Sequence, residues 1–299
     1  MELRQLKYFQ AVSQLASITR AAERCHVAQP AISIAIQKLE DELGVRLFDR
    51  FQKKITLNAT GHVFLQRVED ILDRLDNAVK EMDDYRKLQR GAIRIGITPM
   101  LGAYLFPYIF SRFKRRYPEI EISVIEEGSL NIKKLLEQGE LDVGIILISD
   151  ISADLQTAPI SKSEICVFLH HQHHLVKQAK IPFNLLRKEK FILLKEDTYT
   201  RKLVLEECAK HQFTPDIIFS SNQIETVIRL VEQQVGITFM INPMLHSNLR
   251  IESRPLADTM YVQAGLAWNR KRYVSHAMQA FIDDIMNNPM QLGNSSIHP

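Results

Sequence analysis

The strongest constraint on the fold is a set of three short amphipathic helices, which the spacing of apolar residues predicts up to Gly44. The first spans residues 3–16, and Ser17 or Thr19 can cap the second. The third opens with Pro30, because the first backbone N–H groups of a helix have no partner and proline, which has no N–H, therefore loses no hydrogen bond there. Gly44 ends this helix. Helix, short turn and helix in this order predict a helix-turn-helix.

The polar residues of the third helix point away from its apolar face and can pair with base edges or phosphates in a major groove. They are Gln29, Ser33, Gln37 and Lys38. A two-stranded hairpin follows, and the basic side chains at its tip suit phosphate contacts, although a solvated basic loop is the alternative for any one lysine. These tip residues are Arg50, Lys53 and Lys54. The net charge of the whole chain, +3, is too small to imply a nucleic-acid partner by itself.

A single long helix is predicted from Thr60 to about Gln89, where apolar residues step alternately by four and three. The stepping residues are Phe64, Val68, Ile71, Leu75, Ala78, Met82 and Tyr85. This seam predicts a coiled coil between two copies of the chain, and the acidic flanks of the helix make it a poor candidate for lying along DNA. A stripe that packs against its own chain is the alternative. Pairing also suits DNA reading, because two half-sites on one face of the duplex need two reading heads at a fixed spacing.

Beyond Gly91 the pattern changes to short apolar strands that alternate with helices, which is typical of α/β lobes with parallel βαβ units. The first set comprises strands at 92–98, 120–126 and 143–147 and helices at 101–117 and 131–138. The second set comprises strands at 164–170, 191–194, 217–220, 236–240 and 261–268 and helices at 201–211 and 223–234. We therefore expect two lobes joined by a hinge, with about 91–161 and 267–290 in one and about 162–266 in the other.

Ligands of such two-lobed domains bind where strand ends meet helix N-termini, because free backbone N–H groups and the positive helix dipole hold anionic or polar groups there. The loops at these places predict an effector site formed by Thr98, Met100, Leu101, Ser129, Leu130, Thr198, Thr200, Arg201, Asn222, Gln223 and Thr238. For Ser129, Thr200 and Asn222 the alternative is that they only cap helices, with Asn222 and Glu225 in a capping box. Arg201 or Lys195 is a candidate counter-charge for a carboxylate, and a solvated surface cation is the alternative.

The N-terminal residues resemble the signature of LysR-type transcriptional regulators. The matching segments are AAER at 21–24, AQPAIS at 28–33, LE at 39–40, LG at 43–44, LF at 47–48, Arg50, TL at 56–57 and TG at 60–61. The resemblance implies that Gln29, Pro30 and Ser33 lie at the groove-facing start of the recognition helix. It also implies that Arg50 and the hairpin lysines contact the DNA backbone. Ile34 departs from the polar residue common at this place in the family, which favours an apolar contact such as one with a thymine methyl.

Residues 91–290 resemble the effector domain of the same family, which is similar to type 2 periplasmic binding proteins. The matching segments are RIGI at 94–97, FP at 106–107, Phe113, YP at 117–118, ELDVG at 140–144 and VGI at 235–237. The resemblance implies effector contacts in the loops named above and tetramers built from two dimers, and residues 97–102 are most similar to regulators that sense small organic acids. We therefore expect a multidomain α+β protein, with a winged helix-turn-helix at 1–58, a coiled-coil linker helix at 59–90 and a two-lobed α/β effector domain at 91–299.

Other functional classes find less support in the sequence. GxSxG, P-loop, GxGxxG and HExxH motifs are all missing, so we expect a protein that is not an enzyme. A solute-binding protein for transport would share the two-lobed fold, but the first residues lack the pattern of an export signal. No apolar run reaches the roughly 18 residues of a membrane span, so we expect a cytoplasmic protein without a membrane partner. Its expected partners are double-stranded promoter DNA, a small-molecule effector such as a carboxylate, further copies of the chain, and RNA polymerase.

The cysteines and a histidine cluster are the remaining candidates for chemistry. Cys25, Cys166 and Cys208 are far apart and lack CxxC spacing, which is typical of buried free thiols rather than of a disulfide or a zinc site. Histidines stand at 170, 171, 173 and 174, and imidazole binds zinc, copper and nickel. Adjacent side chains at a strand end point in opposite directions, however, and no acid or cysteine is close in sequence. We therefore expect an exposed loop, with no metal and no cofactor.

Overall fold

The structure is a computed structural model of the 299-residue chain that describes residues 1–51, 54–86, 91–149, 151–241 and 250–288. Contacts between residues divide the chain into two compact units, Met1–Asp83 and Asp84–Pro299. The first unit takes in the predicted helix-turn-helix and most of the predicted linker helix, and the second takes in the predicted lobes.

Three helices, a hairpin and one long helix build the first unit. Its elements are α1 (Leu3–Leu15), α2 (Ile18–Arg24), α3 (Gln29–Leu43), β1 (Phe48–Phe51), β2 (Lys54–Leu57) and α4 (Ala59–Arg86). Ser17 caps α2, since its hydroxyl accepts a hydrogen bond of 3.3 Å from the backbone N–H of Arg20. Pro30 lies in the first turn of α3, and Gly44 ends α3 with a left-handed φ of 69°. The three short helices are confirmed, whereas the predicted end of the long helix near Gln89 lies outside the described residues.

The apolar core of the first unit draws on all six elements. Its buried members include Phe9, Val12, Ala21, Ile32, Ile36, Leu39, Phe48, Ile55 and Val68. Because Val68 of α4 is fully buried in this core, the start of the predicted seam packs against its own chain. Further along α4, Ile71, Leu75 and Met82 stay 44%, 40% and 56% exposed, and the side chain of Tyr85 lies outside the described part. The start of α4 therefore packs against its own chain, whereas the later apolar residues of the helix form an exposed seam.

The second unit alternates strands and helices. Its elements are β3 (Ala92–Ile97), α5 (Pro99–Tyr104), α6 (Phe106–Arg116), β4 (Glu121–Glu126), α7 (Ser129–Gln138), β5 (Val143–Ile148), β6 (Leu155–His170), 3₁₀ helices at His174–Lys177 and Phe183–Lys188, β7 (Lys190–Leu193), α8 (Tyr199–Lys210), β8 (Asp216–Ser220), α9 (Ile224–Glu232), β9 (Thr238–Ile241), β10 (Ile251–Asn269) and α10 (His276–Asn287). Each strand and helix that was predicted beyond Gly91 has a counterpart in the structure.

Two long strands organise the second unit: β6 with 16 residues and β10 with 19. They pair antiparallel in a six-stranded sheet of order β4-β3-β5-β10-β6-β9, and β7 and β8 form a separate parallel pair. β3 pairs parallel with β4 and β5, as predicted for parallel units, while β10 with β5 and β6 with β9 are antiparallel. We call the part built on β3, β4 and β5 the first lobe and the part built on β7, β8 and β9 the second lobe.

The predicted helix at 101–117 is in fact two helices, α5 and α6, which meet at Leu105. Pro107 stands in the first turn of α6, and because proline has no backbone N–H it cannot continue a preceding helix. Helix α10, which the sequence analysis missed, is tied to α6 by a 2.9 Å contact between Nε of Arg112 and the buried carboxylate of Asp284. Within the described ranges, no helix is both long and apolar enough to cross a membrane.

Candidate DNA-reading surface and effector site

Helix α3 separates a buried face from an exposed one. Ile32, Ile36 and Leu39 are fully buried, and they hold the helix on the core of the first unit. The opposite face is exposed and carries Gln29, Pro30, Gln37 and Lys38, with Ser33 half-buried beside them. Ile34 is 55% exposed on the same face. The structure therefore brings the predicted helix residues together on one accessible surface.

The hairpin follows α3, and its register pairs Phe51 with Lys54. Arg50 belongs to β1 and Lys54 opens β2, so both backbones lie next to the connection between the strands. Lys53 lies outside the described residues, as do the side chains of Arg50 and Lys54. The structure thus places the basic strand residues at the predicted end of the hairpin without describing their contacts.

A buried glutamate ties the hairpin to α3. Glu40 is only 3% exposed, and its carboxylate accepts hydrogen bonds from the backbone N–H groups of Leu47 at 2.8 Å and Phe48 at 3.3 Å. Arg46 pairs with the same carboxylate at 2.7 Å. Burial alone would raise the pKa of Glu40, but the hydrogen bonds from Leu47, Arg46 and Phe48 outweigh burial and hold the pKa below its ordinary value. Sequence reasoning missed this role, although an acid on the apolar face of a helix was an available signal.

Asn58 connects the hairpin to the start of α4. Its side-chain oxygen accepts a 2.8 Å hydrogen bond from the backbone N–H of Gly61, and its amide group donates to the carbonyl of Arg46 at 2.9 Å. A Cβ at Gly61 would lie 2.1 Å from the carbonyl oxygen of Leu47, so this contact requires a glycine. The hairpin is therefore fixed from both sides, by α3 and by α4.

In the second unit, three predicted effector residues have buried hydroxyls without hydrogen-bond partners among the described residues. Thr98, Thr200 and Thr238 are 5%, 3% and 1% exposed. Ser161 of β6, which the sequence analysis did not select, also has a buried hydroxyl of this kind, and Ser129 is 1% exposed. Buried polar groups are nearly always paired in proteins, so unpartnered hydroxyls at the predicted site call for a ligand or for water.

The observed helix caps test the alternative that Ser129, Thr200 and Asn222 only cap helices. The N-caps of α7, α8 and α9 are Gly128, Thr198 and Gln223. The alternative that Ser129, Thr200 and Asn222 only cap helices is therefore wrong, and so is the capping box of Asn222 with Glu225. Asn222 instead accepts a 3.1 Å hydrogen bond from the backbone N–H of Lys195.

Asp197 joins the two lobes. One oxygen of its carboxylate accepts a 2.7 Å hydrogen bond from the backbone N–H of Gly128, and its carbonyl oxygen lies 3.3 Å from the N–H of Leu130. Its other carboxylate oxygen lies 3.4 Å from the side-chain nitrogen of Asn222. The loop before α8 in the second lobe is therefore bonded to the N-terminus of α7 in the first lobe. The sequence pattern placed Asp197 in one of the loops expected to contact a ligand, but it did not predict this contact between the lobes.

Arg201 is held inside the second lobe. Its guanidinium donates to the carbonyl of Leu194 at 3.1 Å and to the hydroxyl of Ser220 at 2.7 Å, and its side chain is 11% exposed. The alternative of a solvated surface cation is therefore wrong for Arg201, whereas Lys195 is exposed. The remaining predicted residues divide between core and surface: Met100 and Leu101 are buried in the apolar core, Thr198 is buried, and Leu130 and Gln223 are exposed.

Comparison with known proteins identifies the family of the chain. Residues 3–62 match the family model described as a bacterial regulatory helix-turn-helix protein of the lysR family, and residues 86–288 match the LysR substrate binding domain. The chain belongs to the LysR family. As a LysR-family protein it is a DNA-binding transcription regulator with an effector-binding domain, and it is not an enzyme. The predicted family and fold class are thereby confirmed.

Individual relatives resemble the chain over most of its length. An uncharacterised HTH-type transcriptional regulator of Bacillus subtilis, YcgK, is 29% identical, over 95% of this chain and 93% of its own. The hydrogen peroxide-inducible genes activator of Haemophilus influenzae is 30% identical over 80% of each chain. A full-length OxyR variant from Pseudomonas aeruginosa superposes with a TM-score of 0.63 at 28% identity, covering 95% of this chain and 94% of that one.

Proposed function

We propose that this LysR-family regulator binds promoter DNA and that a small organic acid bound between the first and second lobes modulates that binding. The observation that carries the proposal is the set of three buried, unpartnered hydroxyls of Thr98, Thr200 and Thr238. A buried hydroxyl without a partner costs about 1–3 kcal/mol. A ligand with carboxylate oxygens accepts hydrogen bonds from such hydroxyls, and so offsets this cost.

The charge of Arg201 supports an acidic ligand, because the carboxylate that lies 3.7 Å from it, that of Glu196, is 90% exposed and can be replaced by a ligand. This guanidinium lies on the first turn of α8, where the helix dipole adds partial positive charge. Ser129, Leu130, Thr198, Asn222 and Gln223 remain proposed contacts from the loops that Asp197 joins. Met100 and Leu101 are proposed to contribute through their backbone, because their side chains lie in the core.

On the DNA side, the exposed face of α3 is the proposed reader of the major groove. Gln29, Ser33 and Gln37 supply polar groups for base edges, and the exposed side chain of Ile34 suits a thymine methyl. Pro30 and Lys38 flank them, and Arg50, Lys53 and Lys54 are proposed to contact phosphates. Since bacterial promoter DNA lies in the cytoplasm, this function implies a cytoplasmic protein.

We propose that the coupling between the two sites acts through paired copies of the chain. We propose that the exposed seam of α4, at Ile71, Leu75 and Met82, contacts a second copy, and that effector domains pair to build tetramers. An effector that alters the Asp197 to Gly128 bond would change the packing between effector domains, and with it the spacing of the DNA-reading heads. RNA polymerase is a proposed further partner at the promoter.

Melting of the full-length chain against a panel of short carboxylic acids tests the effector class. Ligand at about 100 times its dissociation constant adds roughly 2.7 kcal/mol of stability, so an acid that binds raises the Tm saturably. Thr238→Val should remove this shift, whereas Thr157→Val, at a half-buried position of β6, should keep it. An unchanged Tm with every acid, or the same shift in both variants, would contradict the proposed ligand or site.

Thiol-based sensing is the second candidate, because one relative is named as an activator of hydrogen peroxide-inducible genes. The thiolate is the reactive form of cysteine, and it forms poorly in apolar surroundings. Burial raises the pKa of Cys166 to about 12, with Glu164 adding to the effect, and burial likewise raises that of Cys208 to about 12. Cys25 is half-buried, in the first unit. These environments favour small-molecule binding over thiol chemistry.

A further inference from the structure

Two histidines and a glutamate converge beside the end of β6. Nε2 of His173 lies 3.2 Å from one carboxylate oxygen of Glu189, and Nε2 of His174 lies 3.6 Å from the other. The two imidazole rings stack, with centroids 4.5 Å apart and planes at 28°. One ligand atom from each of the three residues lies within 4.8 Å of the others.

We propose that His173, His174 and Glu189 form a binding site for a divalent transition metal of the zinc class. Imidazole nitrogen and carboxylate oxygen are ordinary zinc ligands, with bonds of about 2.0–2.2 Å, and four ligands at that distance in a tetrahedron stand roughly 3.4 Å apart. The two contacts to Glu189, at 3.2 and 3.6 Å, bracket this spacing. These contacts involve the two different oxygens of Glu189, and the three ligand atoms lie within 4.8 Å of one another, so the side chains must draw closer together to hold an ion between them.

The local fold explains why these residues meet. His173 precedes the 3₁₀ helix at His174–Lys177, while Glu189 follows the second 3₁₀ helix and its backbone N–H donates to the carbonyl of Leu186 at 3.0 Å. The segment between them folds back, so that Glu189 lies beside the two histidines. The side chains of His173 and Glu189 are 20% and 17% exposed, whereas that of His174 is 71% exposed, so the group lies at the protein surface.

The sequence analysis expected an exposed loop here, with adjacent histidines that diverge; His171, Gln172 and His174 are exposed as expected, but other parts of that expectation differ from the structure. His170 is buried, at 5% exposure, and His173 is half-buried. His173 and His174 also do not diverge, because they lie past the end of β6, where strand alternation no longer applies. The carboxylate partner comes from distant sequence, and a search for acids close to the histidines could not find it.

The surroundings leave room for further ligands. A cavity of about 370 Å³ adjoins the site, and its walls include His173, Glu189, Gln172 and Gln234. Water or an exogenous group can therefore occupy the remaining coordination position, as in zinc sites that keep an open position. Lys188 and Lys190 also line the cavity, and their charge lowers the affinity for a cation.

Metal binding would change the hydrogen bonding of His173. Its Nδ1 now accepts a 3.3 Å hydrogen bond from the backbone N–H of Leu175. A metal on Nε2 of a neutral imidazole leaves the ring proton on Nδ1, so this long bond would be lost. The amide of Leu175 is therefore a local reporter of metal bound at this site.

Calorimetric titration of untagged, EDTA-treated full-length chain with zinc chloride tests the site. We expect one zinc ion per chain at the wild-type site, at least about tenfold weaker binding in His174→Ala and Glu189→Gln, and unchanged binding in His171→Ala. His171 is a matched control, because it is exposed in the same loop but outside the group. Equal Tm values in EDTA would establish that the variants are folded.

Absence of zinc binding by the wild-type chain would overturn the proposal, as would equal affinities in Glu189→Gln and the wild-type chain. If a variant unfolds, the amide resonance of Leu175 in the wild-type chain decides the question. It should shift on addition of zinc if the metal binds at His173, and a resonance that stays in place would contradict the site. The titration contains no effector acid, so its result does not depend on the proposed effector.

Discussion

The carboxylate of Asp197 accepts a 2.7 Å hydrogen bond from the backbone N–H of Gly128, and this bond joins the second lobe to the first. A Cβ added at Gly128 would lie 2.4 Å from Cγ of Asp197, so the two lobes meet this closely only because residue 128 is glycine. The proposed effector site lies next to this contact. The bond is therefore the proposed route by which ligand binding changes the arrangement of the lobes.

Gly128→Ala should separate the lobes at this point. We expect the Tm to fall by an amount equivalent to about 1–3 kcal/mol, because the added methyl overpacks a close contact, and we expect weaker binding of the effector acid. Thermal melting with and without acid measures both effects. Asp216→Asn, an exposed acid at the start of β8, is the control and should leave both unchanged. Wild-type melting and acid affinity in Gly128→Ala would show that the contact has no role.

The lowered pKa of Glu40 predicts that part of the stability of the first unit depends on pH. Because the pKa of Glu40 is lower in the folded chain than in the unfolded chain, the carboxylate stabilises the fold at pH values above the unfolded pKa. That contribution is lost as the pH falls through the lower, folded value. Glu40→Gln should cost about 1–3 kcal/mol at neutral pH, and the cost should shrink in acid.

Urea unfolding from neutral to acidic pH measures this effect. Glu23→Gln is the control, since Glu23 is exposed on α2 and should show no such cost. A cost for Glu40→Gln that stays constant with pH would mean that the hydrogen bonds of Leu47 and Phe48 do not depend on the charge of Glu40.

Gln29 predicts sequence-specific binding by α3. Gln29→Ala should weaken binding to a duplex selected from a random library by about 1–3 kcal/mol and should barely change binding to unselected DNA. Lys54→Ala should instead weaken binding to both kinds of DNA and lower the dependence on salt. Equal losses on both duplexes for Gln29→Ala would remove this residue from base readout.

Leu75 tests the exposed seam of α4. Leu75→Glu places a charge on the proposed contact between two copies, so sedimentation equilibrium should show smaller oligomers at a given concentration. Arg67→Glu, an exposed position on the same helix, should leave the mass unchanged. An oligomer that survives Leu75→Glu would place the contact between copies elsewhere.

Local signals allowed the sequence to predict the first unit well. Pro30 and Gly44 mark the two ends of α3 through properties of their own backbones, so the ends of this helix do not depend on distant contacts. Glu40 acts through the N–H groups of Leu47 and Phe48, and this role depends on the return of the hairpin, which periodicity does not describe.

Non-local pairing explains most of what the sequence could not predict in the second unit. The first part of β6 is largely half-exposed and alternates weakly, and it becomes a strand because β10 pairs with it. The link between Asp197 and Gly128 also joins loops that are far apart in sequence. By contrast, the break before α6 was readable from Pro107, because proline ends a preceding helix by its own chemistry.

Reciprocity between the two sites tests the central claim most directly. The affinity of the full-length chain for a library-selected duplex is measured with and without the stabilising acid, and the affinity for the acid is measured with and without the duplex. Linkage predicts the same factor in both experiments, typically about 5–150-fold. Equal factors different from one would support an effector site coupled to DNA reading, whereas unchanged affinities in both titrations would contradict it.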